Sequence, residues 1–432
     1  MSKQVEFLDT QTQLPPSADV VIVGAGIVGV TAALSLAERG ISVVLVEKGH
    51  IGCEQSSRNL GWIRKTSRHS NDVPLALAAD KLWAEMATRV GRDVGYQQAG
   101  ILFLSKTREQ LVMHQRWLES VASLSLDSKI LTPSDIEKLV PGGQNNWLGG
   151  LYTPSDGYAE PTIAVAAIAK AAMKKGAIFI QHCALRTLIR KNGQVVGVHT
   201  EKGDIKCQQV LLAGGAWSRR FLGNLGVSLP TLPLICSVLR TKPMEGPTNI
   251  AVGGPDFSFR KHSGGGFIIT QRGKLDAPIT LDHLLIGHKY LEQLRGQASF
   301  LKVGLGKYFF EDLRLSRKWK AKSASPFEKV RVNDPQANTL LNQQALDNLA
   351  KAWPVFKNAE IEEAWAGVID VTPDSVPVID KIDTIPGLTV ATAFSGHGFG
   401  TGPAAGQLAA DLIANVTPII DPTPYRFERF LQ

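Results

Sequence analysis

The chain holds no apolar run long enough to cross a bilayer; nowhere do roughly eighteen such residues follow one another. Cysteine is scarce: the four, Cys53, Cys183, Cys207 and Cys236, are scattered, with no CxxC pair and no metal-ligand spacing. That excludes a disulfide scaffold and a zinc site, and fits small core thiols in a reduced compartment. Residues 1–16 are polar, with neither an apolar signal core nor a twin arginine, so a cytoplasmic location is expected. There is no P-loop, no HExxH, no Ser-His-Asp pattern, no internal repeat and no low-complexity tract. Nor is there a nucleic-acid motif, so a net charge of +8 does not by itself argue for DNA or RNA. With 432 residues, the chain is too long for one core, and two domains are expected.

The positive charge is uneven. Between Lys289 and Lys322 nine basic residues face three acids, Glu292, Glu311 and Asp312. Phe300, Leu301, Val303, Leu305, Tyr308, Phe309, Phe310 and Trp319 are interleaved with them. Such a segment could lie on an anionic membrane surface, which would put the protein on the inner membrane as a peripheral component. The competing reading is a solvated basic face over an ordinary core.

What the sequence does have is glycine in a particular place. Asp19-Val20-Val21-Ile22-Val23 leads into Gly24-Ala25-Gly26-Ile27-Val28-Gly29. The apolar run reads as a buried parallel strand. Gly24 permits a tight turn, Gly26 lets the backbone approach a pyrophosphate, and Gly29 lets the next helix pack on the strand. That helix is predicted over Ile27–Arg39, with Gly40 as a left-handed cap. A second strand, Ile41–Val46, delivers Glu47 where a carboxylate would hold ribose hydroxyls. An acid there repels a 2′-phosphate, which disfavours NADP; FAD and NAD both stay open at this point.

Further along, helices are predicted over Val73–Val90, Glu109–Leu124, Pro133–Val140 and Pro161–Gly176, a strand over Tyr96–Leu104, and a loop over Gly142–Asp156. Leu185–Arg190 and Val195–His199 read as a hairpin turned at Asn192-Gly193. Ile205–Ala213 reads as one strand running into Gly214-Gly215-Ala216-Trp217, a second strand–glycine–helix junction. From Pro230 to Glu363 short β-rich runs alternate with Pro and Gly, as in an antiparallel sheet. The strand Leu388–Ala393, the segment Gly396–Gly400 and a helix over Gly402–Ala414 return to the first style. The expected fold is α/β: a Rossmann-like nucleotide-binding domain from 1–85, 155–229 and 364–432, and an antiparallel-sheet α+β substrate domain from 86–154 and 230–363.

Three further stretches could carry chemistry. Hydroxyls and amides of the loop Glu54–Gly61 can bond a ring system or phosphates. In the C-terminal glycine segment Thr401 suits a helix N-cap and Pro403 a first turn. The helix start would stabilise negative charge on a reduced ring. Arg272, at the end of the predicted strand Gly266–Gln271, could clamp a carboxylate bidentately. His397 could serve as an acid or base, though it has no evident partner.

With these residues in view, the chain resembles the flavin-dependent amine and amino-acid oxidoreductases of the D-amino-acid oxidase, glycine oxidase and sarcosine oxidase superfamily. The resemblance rests on Gly24–Gly29, Glu47, Ser56-Ser57-Arg58, Leu212–Ser218, Thr372-Pro373-Asp374 and the C-terminal glycines. Within that group it is most similar to bacterial L-amino-acid deaminases of the Proteus type, through Glu47-Lys48-Gly49, Glu54-Gln55-Ser56, Trp217-Ser218-Arg219, Pro230-Thr231-Leu232, Gly402–Gly406 and Asp421–Tyr425. Two departures stand out: those deaminases carry an N-terminal hydrophobic anchor that is not seen here, and His397 stands where they have a tryptophan.

The resemblance implies FAD, and it implies that Arg272 holds a substrate carboxylate. Ala366-Gly367-Val368 offers no cysteine where some sarcosine oxidases attach flavin, so the FAD should be non-covalent. The expected cofactor-binding set is Gly24, Gly26, Ile27, Val28, Gly29, Glu47, Lys48, Gln55, Ser56, Ser57, Arg58, Gly61, Leu185, Ala213, Gly214, Trp217, Gly396, Gly398, Phe399, Gly400 and Thr401. The implied reaction is hydride transfer from an amino acid, L in configuration, to flavin, with O2 or a quinone as final acceptor. The alternatives are a D-amino-acid or secondary-amine oxidoreductase, and a flavin-binding electron-transfer protein without turnover.

Overall fold

The computed structural model describes residues 5–144, 146–291 and 301–431. Its first sheet runs, from edge to edge, Val378–Lys381, Leu388–Thr392, Gln209–Leu212, Val20–Val23, Val43–Val46 and Ile178–Ile180. Every neighbouring pair is parallel except the first. These strands are apolar on both faces because both faces are covered. Val20, Ile22, Val43 and Leu45 pack with the helices Ile27–Ala37, Pro161–Lys174 and Gly398–Ala414. Val21, Val44 and Val46 pack instead with Leu188, Val195 and Val198 of a three-stranded sheet. The result is three layers: helices, parallel sheet, small antiparallel sheet.

The second sheet lies beyond it in the order Leu301–Gly304, Leu275–Pro278, Leu232–Thr241, Phe267–Thr270, Ser258–Lys261, Ala251–Gly253, Ile101–Ser105, Gly149–Thr153 and Lys129–Leu131. Ile361–Val371 pairs along the length of Leu232–Thr241. Most pairings are antiparallel, as expected, but Ala251–Gly253 with Ile101–Ser105 and Leu275–Pro278 with Leu301–Gly304 are parallel. The helix Thr339–Ala352 covers one face through Ala345, Leu346 and Leu349.

Several sequence expectations match. Val73–Val90 is a helix closed by Gly91 in the left-handed region. The Asn192-Gly193 turn has φ of +52° and +83°, and Lys191 pairs with Gln194. Four expectations need correction. The predicted strand Ile205–Ala213 is two strands, Gly203–Lys206 and Gln209–Leu212, because the first turns back onto the hairpin and the second enters the parallel sheet. The predicted loop Gly142–Asp156 contains the strand Gly149–Thr153, whose two leading glycines hid its pattern. Ile361–Val371 lies wholly in the second sheet, so that sheet runs past the expected boundary at 363. The C-terminal helix starts at Gly398, four residues before the predicted Gly402.

The basic segment divides. Arg317 pairs with Asp282 at 2.8 Å, Arg220 pairs with Asp312, and Trp319 is tied to the Arg186 carbonyl, so part of the charge is spent internally. Lys307–Leu313 is a helix, and Val303, Leu305, Phe310 and Leu313 are exposed alongside Leu284, Leu285 and Leu291. Glu292, Arg295 and Phe300 lie outside the described residues. Among the described residues, no helix is long and apolar enough to cross a membrane.

Candidate functional site

Three strand ends of the first sheet, at Val23, Val46 and Leu212, open onto one crevice, the place where parallel sheets bind ligands. Gly24 turns there at φ +101°, and a Cβ on it would stand 2.5 Å from the Ala213 carbonyl oxygen. The helix Ile27–Ala37 has no cap of its own; the Ser56 hydroxyl accepts from the Ile27 N–H at 2.9 Å. Glu47 accepts from the Ala25 N–H at 2.8 Å through one oxygen and from the Gly49 N–H at 2.7 Å through the other. Burial raises its pKa, against the pull of Lys48 and of those two bonds. Each oxygen keeps a lone pair for a hydroxyl group.

The following loop ties the two sheets together. Lys48 pairs with Glu54 at 2.6 Å and sits over the Trp217 ring at 4.5 Å. Gln55 donates to the Val368 carbonyl and to Asp370. Arg58 donates to the Cys53 and Ala366 carbonyls and pairs with Asp334 at 2.7 Å. Burial pushes Asp370 up to about 6, opposed by its bonds from Gln55 and the Ala393 N–H.

At the C-terminal segment the backbone passes through positive φ at Ala393, Ser395 and Gly396 before the helix begins. Thr401 is inside that helix, its hydroxyl donating back to the His397 carbonyl at 3.1 Å, so it does not cap the N-terminus. Pro403 likewise stands within the helix rather than in its first turn. Gly402 and Gly406 face Ile27 and Val28 so closely that a Cβ would stand within 2.7 Å of them. This contact sets the two helix starts side by side.

Together these elements enclose a cavity of ≈ 420 Å³. Of the expected residues Gly24, Gly26, Ile27, Val28, Glu47, Lys48, Gln55, Ser56, Arg58, Leu185, Ala213, Gly214, Trp217, Arg272, Gly396, His397, Gly398, Phe399 and Gly400 line it. Gly29, Ser57, Gly61 and Thr401 do not. Gly29 packs against the Gly24 carbonyl, Ser57 bonds the Glu54 carbonyl, and Gly61 fits under the Ala159 carbonyl. The sequence reading overlooked Trp62, Arg64, Arg68, Phe103 and Asp370, which also line the cavity. The one available signal was the arginine-rich run Arg64-Lys65-Thr66-Ser67-Arg68, just after the loop Glu54–Gly61.

The far end of the cavity is rich in donors and poor in acceptors. Arg272 lines the cavity, and its hydrogen bond among the described residues is a long one, 3.4 Å, to the Gly254 carbonyl. Desolvation pulls it down to about 10, and Arg64 down to about 9 with help from the charges of Arg68 and Arg272. Both remain protonated at neutral pH. Arg64 donates to the Thr66 carbonyl and meets His397 Nε2 at 3.0 Å. A guanidinium can only donate, so Nε2 is the acceptor and Nδ1 carries the proton. That Nδ1 is buried without a partner among the described residues, as are Trp62 Nε1 and Arg58 Nη2. Burial and the charges of Arg68 and Arg64 hold His397 neutral, well below its ordinary range. With Nε2 taken, His397 is placed to donate a hydrogen bond and not to act as a base. Cys53, Cys183 and Cys236 also open on the cavity, and burial pushes all three thiols up, Cys53 to about 12, so none is a ready nucleophile.

Residues 19–412 match the model of the DAO family, described as FAD dependent oxidoreductase. The chain is similar to the solved structure of L-amino acid deaminase from Proteus myxofaciens in complex with anthranilate, with TM-score 0.95 and 31% identity, covering 100% of this chain and 97% of that one. It is 25% identical to sarcosine oxidase subunit beta from an Arthrobacter species, over 98% of this chain and 94% of that one. It is 30% identical over 240 residues to the regulatory subunit of mitochondrial pyruvate dehydrogenase phosphatase from Mus musculus, 54% of this chain but 27% of that one.

Proposed function

Because the chain belongs to the family of FAD-dependent oxidoreductases, we propose that it oxidises the amine-bearing carbon of an L-amino acid, using non-covalently held FAD. The residues fit that cofactor. The Gly24 turn has a positive φ and an approach to the Ala213 carbonyl that only glycine allows, Glu47 retains lone pairs for ribose hydroxyls, and the first residues of the helices Ile27–Ala37 and Gly398–Ala414 line the cavity, where helix N-termini favour a phosphate. When bound, FAD would supply a hydride acceptor, and water would hydrolyse the resulting imino acid to a keto acid and ammonia.

The observation that carries the reading is Arg272: a guanidinium on the cavity wall with no carboxylate partner among the described residues. A substrate carboxylate would complete it and thereby fix which face of the α-carbon looks along the cavity. His397 would donate through Nδ1 to whatever negative charge develops near the helix start. No side chain is needed as base if the amine binds neutral. Arg272→Ala should raise KM by about thirtyfold to a thousandfold while the protein stays yellow. An unchanged KM sinks the assignment.

Similarity to sarcosine oxidase subunit beta favours a second reading, an N-methyl amine as substrate, with a D-amino acid as a further alternative. Anaerobic flavin bleaching separates the two: an L-isomer supports the first, a D-isomer or N-methyl amine the second, and bleaching by nothing leaves a flavin-binding protein without turnover. The exposed apolar residues Leu305, Phe310 and Leu313 beside Lys307 support peripheral membrane contact and hence a quinone in place of O2. Failure to co-sediment with anionic liposomes at low salt removes that part.

A further inference from the structure

Five lysines and arginines stand on the cavity wall: Lys48, Arg58, Arg64, Arg68 and Arg272. Three are neutralised in place, Lys48 by Glu54, Arg58 by Asp334 and Arg68 by Asp72 at 2.6 Å. Neighbouring Lys65 is likewise held by Asp80 at 2.7 Å and Asp156 at 3.3 Å. Arg64 and Arg272 have no carboxylate within ion-pair distance among the described residues. Both lie against the same ring: the guanidinium carbons of Arg272 and Arg64 are 4.0 and 5.6 Å from the Phe103 centroid. Trp62 closes on that ring edge-on at 5.6 Å and brings an unpartnered indole N–H.

A protein that pairs its other cavity cations and leaves two open beside one aromatic platform is short of two negative charges there, not one. The like charges repel each other, and desolvation adds to the cost, so an anion bound at each would relieve both. Arg64 cannot simply duplicate Arg272. It is pinned by the Thr66 carbonyl and His397, which orients its remaining donors, whereas Arg272 is held only loosely through Gly254.

We propose that the substrate is an acidic amino acid, with its α-carboxylate on Arg272 and its side-chain carboxylate on Arg64. The assignment rests on the reading of Arg272 given above and adds the side-chain specificity to it. Phe103 then packs against the short aliphatic span between the two charges.

Calorimetric titration of the flavin-loaded protein tests this without turnover. Succinate and glutarate should bind about ten to a hundred times more tightly than propionate and butyrate, the margin of one extra charge-assisted contact. In Arg64→Met that ratio should fall towards one, and in Arg64→Lys it should be partly kept. Equal affinities in the unaltered protein, or a preference that survives in a yellow, folded Arg64→Met, overturn the proposal. Anaerobic bleaching adds the second arm. Faster bleaching by L-glutamate or L-aspartate than by L-leucine supports it, and the reverse order overturns it. A dicarboxylate preference lost in Arg64→Met, with no bleaching by any amino acid, supports the two-cation site and sinks the deamination reading alone.

Discussion

At one end of the cavity Glu47 has both carboxylate oxygens engaged by backbone N–H groups, and the Ser56 hydroxyl already meets the first helical N–H. At the other end Arg272 reaches a single carbonyl at 3.4 Å, and His397 Nδ1 and Trp62 Nε1 have no partner among the described residues. The first end is shaped by backbone whose N–H groups Glu47 and Ser56 already meet before any ligand arrives. The second is made of side chains and is complete only with one. The difference separates holding from reacting: a rigid cradle can be preformed, whereas donors meant for a substrate must be left unsatisfied at some cost in stability.

Disrupting the cradle should have the largest effect. Gly24→Val forces a branched residue to φ +101° and drives its Cβ towards the Ala213 carbonyl. The backbone term alone costs about 1–3 kcal/mol, and the turn cannot keep its shape. The variant should purify colourless, read as the ratio of flavin to protein absorbance. A yellow variant with normal flavin content would show that the cradle does not hold the cofactor. Arg272→Ala is the matching change at the reactive end, and it should leave flavin content intact while KM rises. If instead both variants lose flavin, the two ends are not separable.

That contrast also explains what was legible in the sequence. The cradle was readable because a parallel strand, a tight turn and a helix start must be adjacent in the chain, which fixes glycines at Gly24, Gly26 and Gly29 and an acid at Glu47. The second sheet was readable as a class but not in detail: Gly149–Thr153 has too many small residues to show a period, and Ile361–Val371 looks like a lead-in to the strand Leu388–Thr392 until its pairing is seen. The reactive end was half-visible. Arg272 was noted at a strand end and gained its weight from a resemblance, and Arg64 was missed because the basic run around it does not by itself mark a site. Its meaning comes from Phe103 and His397, which the fold brings from elsewhere. Thr401 was misplaced because four glycines in seven residues, Gly396–Gly402, read as a loop when Gly398 already opens the helix, braced where the Trp83 indole donates to the Gly400 carbonyl.

A pH experiment probes the seam between the two ends. Asp370 joins Gln55 of the loop to Ala393 of the C-terminal segment, and burial raises it from 3.8 to about 6. A raised folded pKa means its contribution to stability is fully present below about 3.8 and is lost as pH rises through about 6. Asp370→Asn removes that dependence and adds a pH-independent offset, since an amide cannot accept from both partners. The stability of the unaltered protein relative to Asp370→Asn should therefore fall by up to about 3 kcal/mol between pH 4 and pH 7. Urea unfolding at both pH values measures it, and parallel curves would mean that Asp370 is not perturbed.

The smallest effect should come from a side chain at the preformed end. Ser56→Ala removes the acceptor from the Ile27 N–H but leaves the Gly24 turn, Glu47 and the helix start in place. Losing a cap costs about 1 kcal/mol, so flavin dissociation should rise only roughly fivefold, read by fluorescence of released FAD on dilution. If Ser56→Ala instead abolished flavin binding, as Gly24→Val is expected to, the hydroxyl and not the backbone would be the principal contact. The cradle would then depend on a side chain as much as the reactive end does, and the division between a backbone end and a side-chain end would not hold.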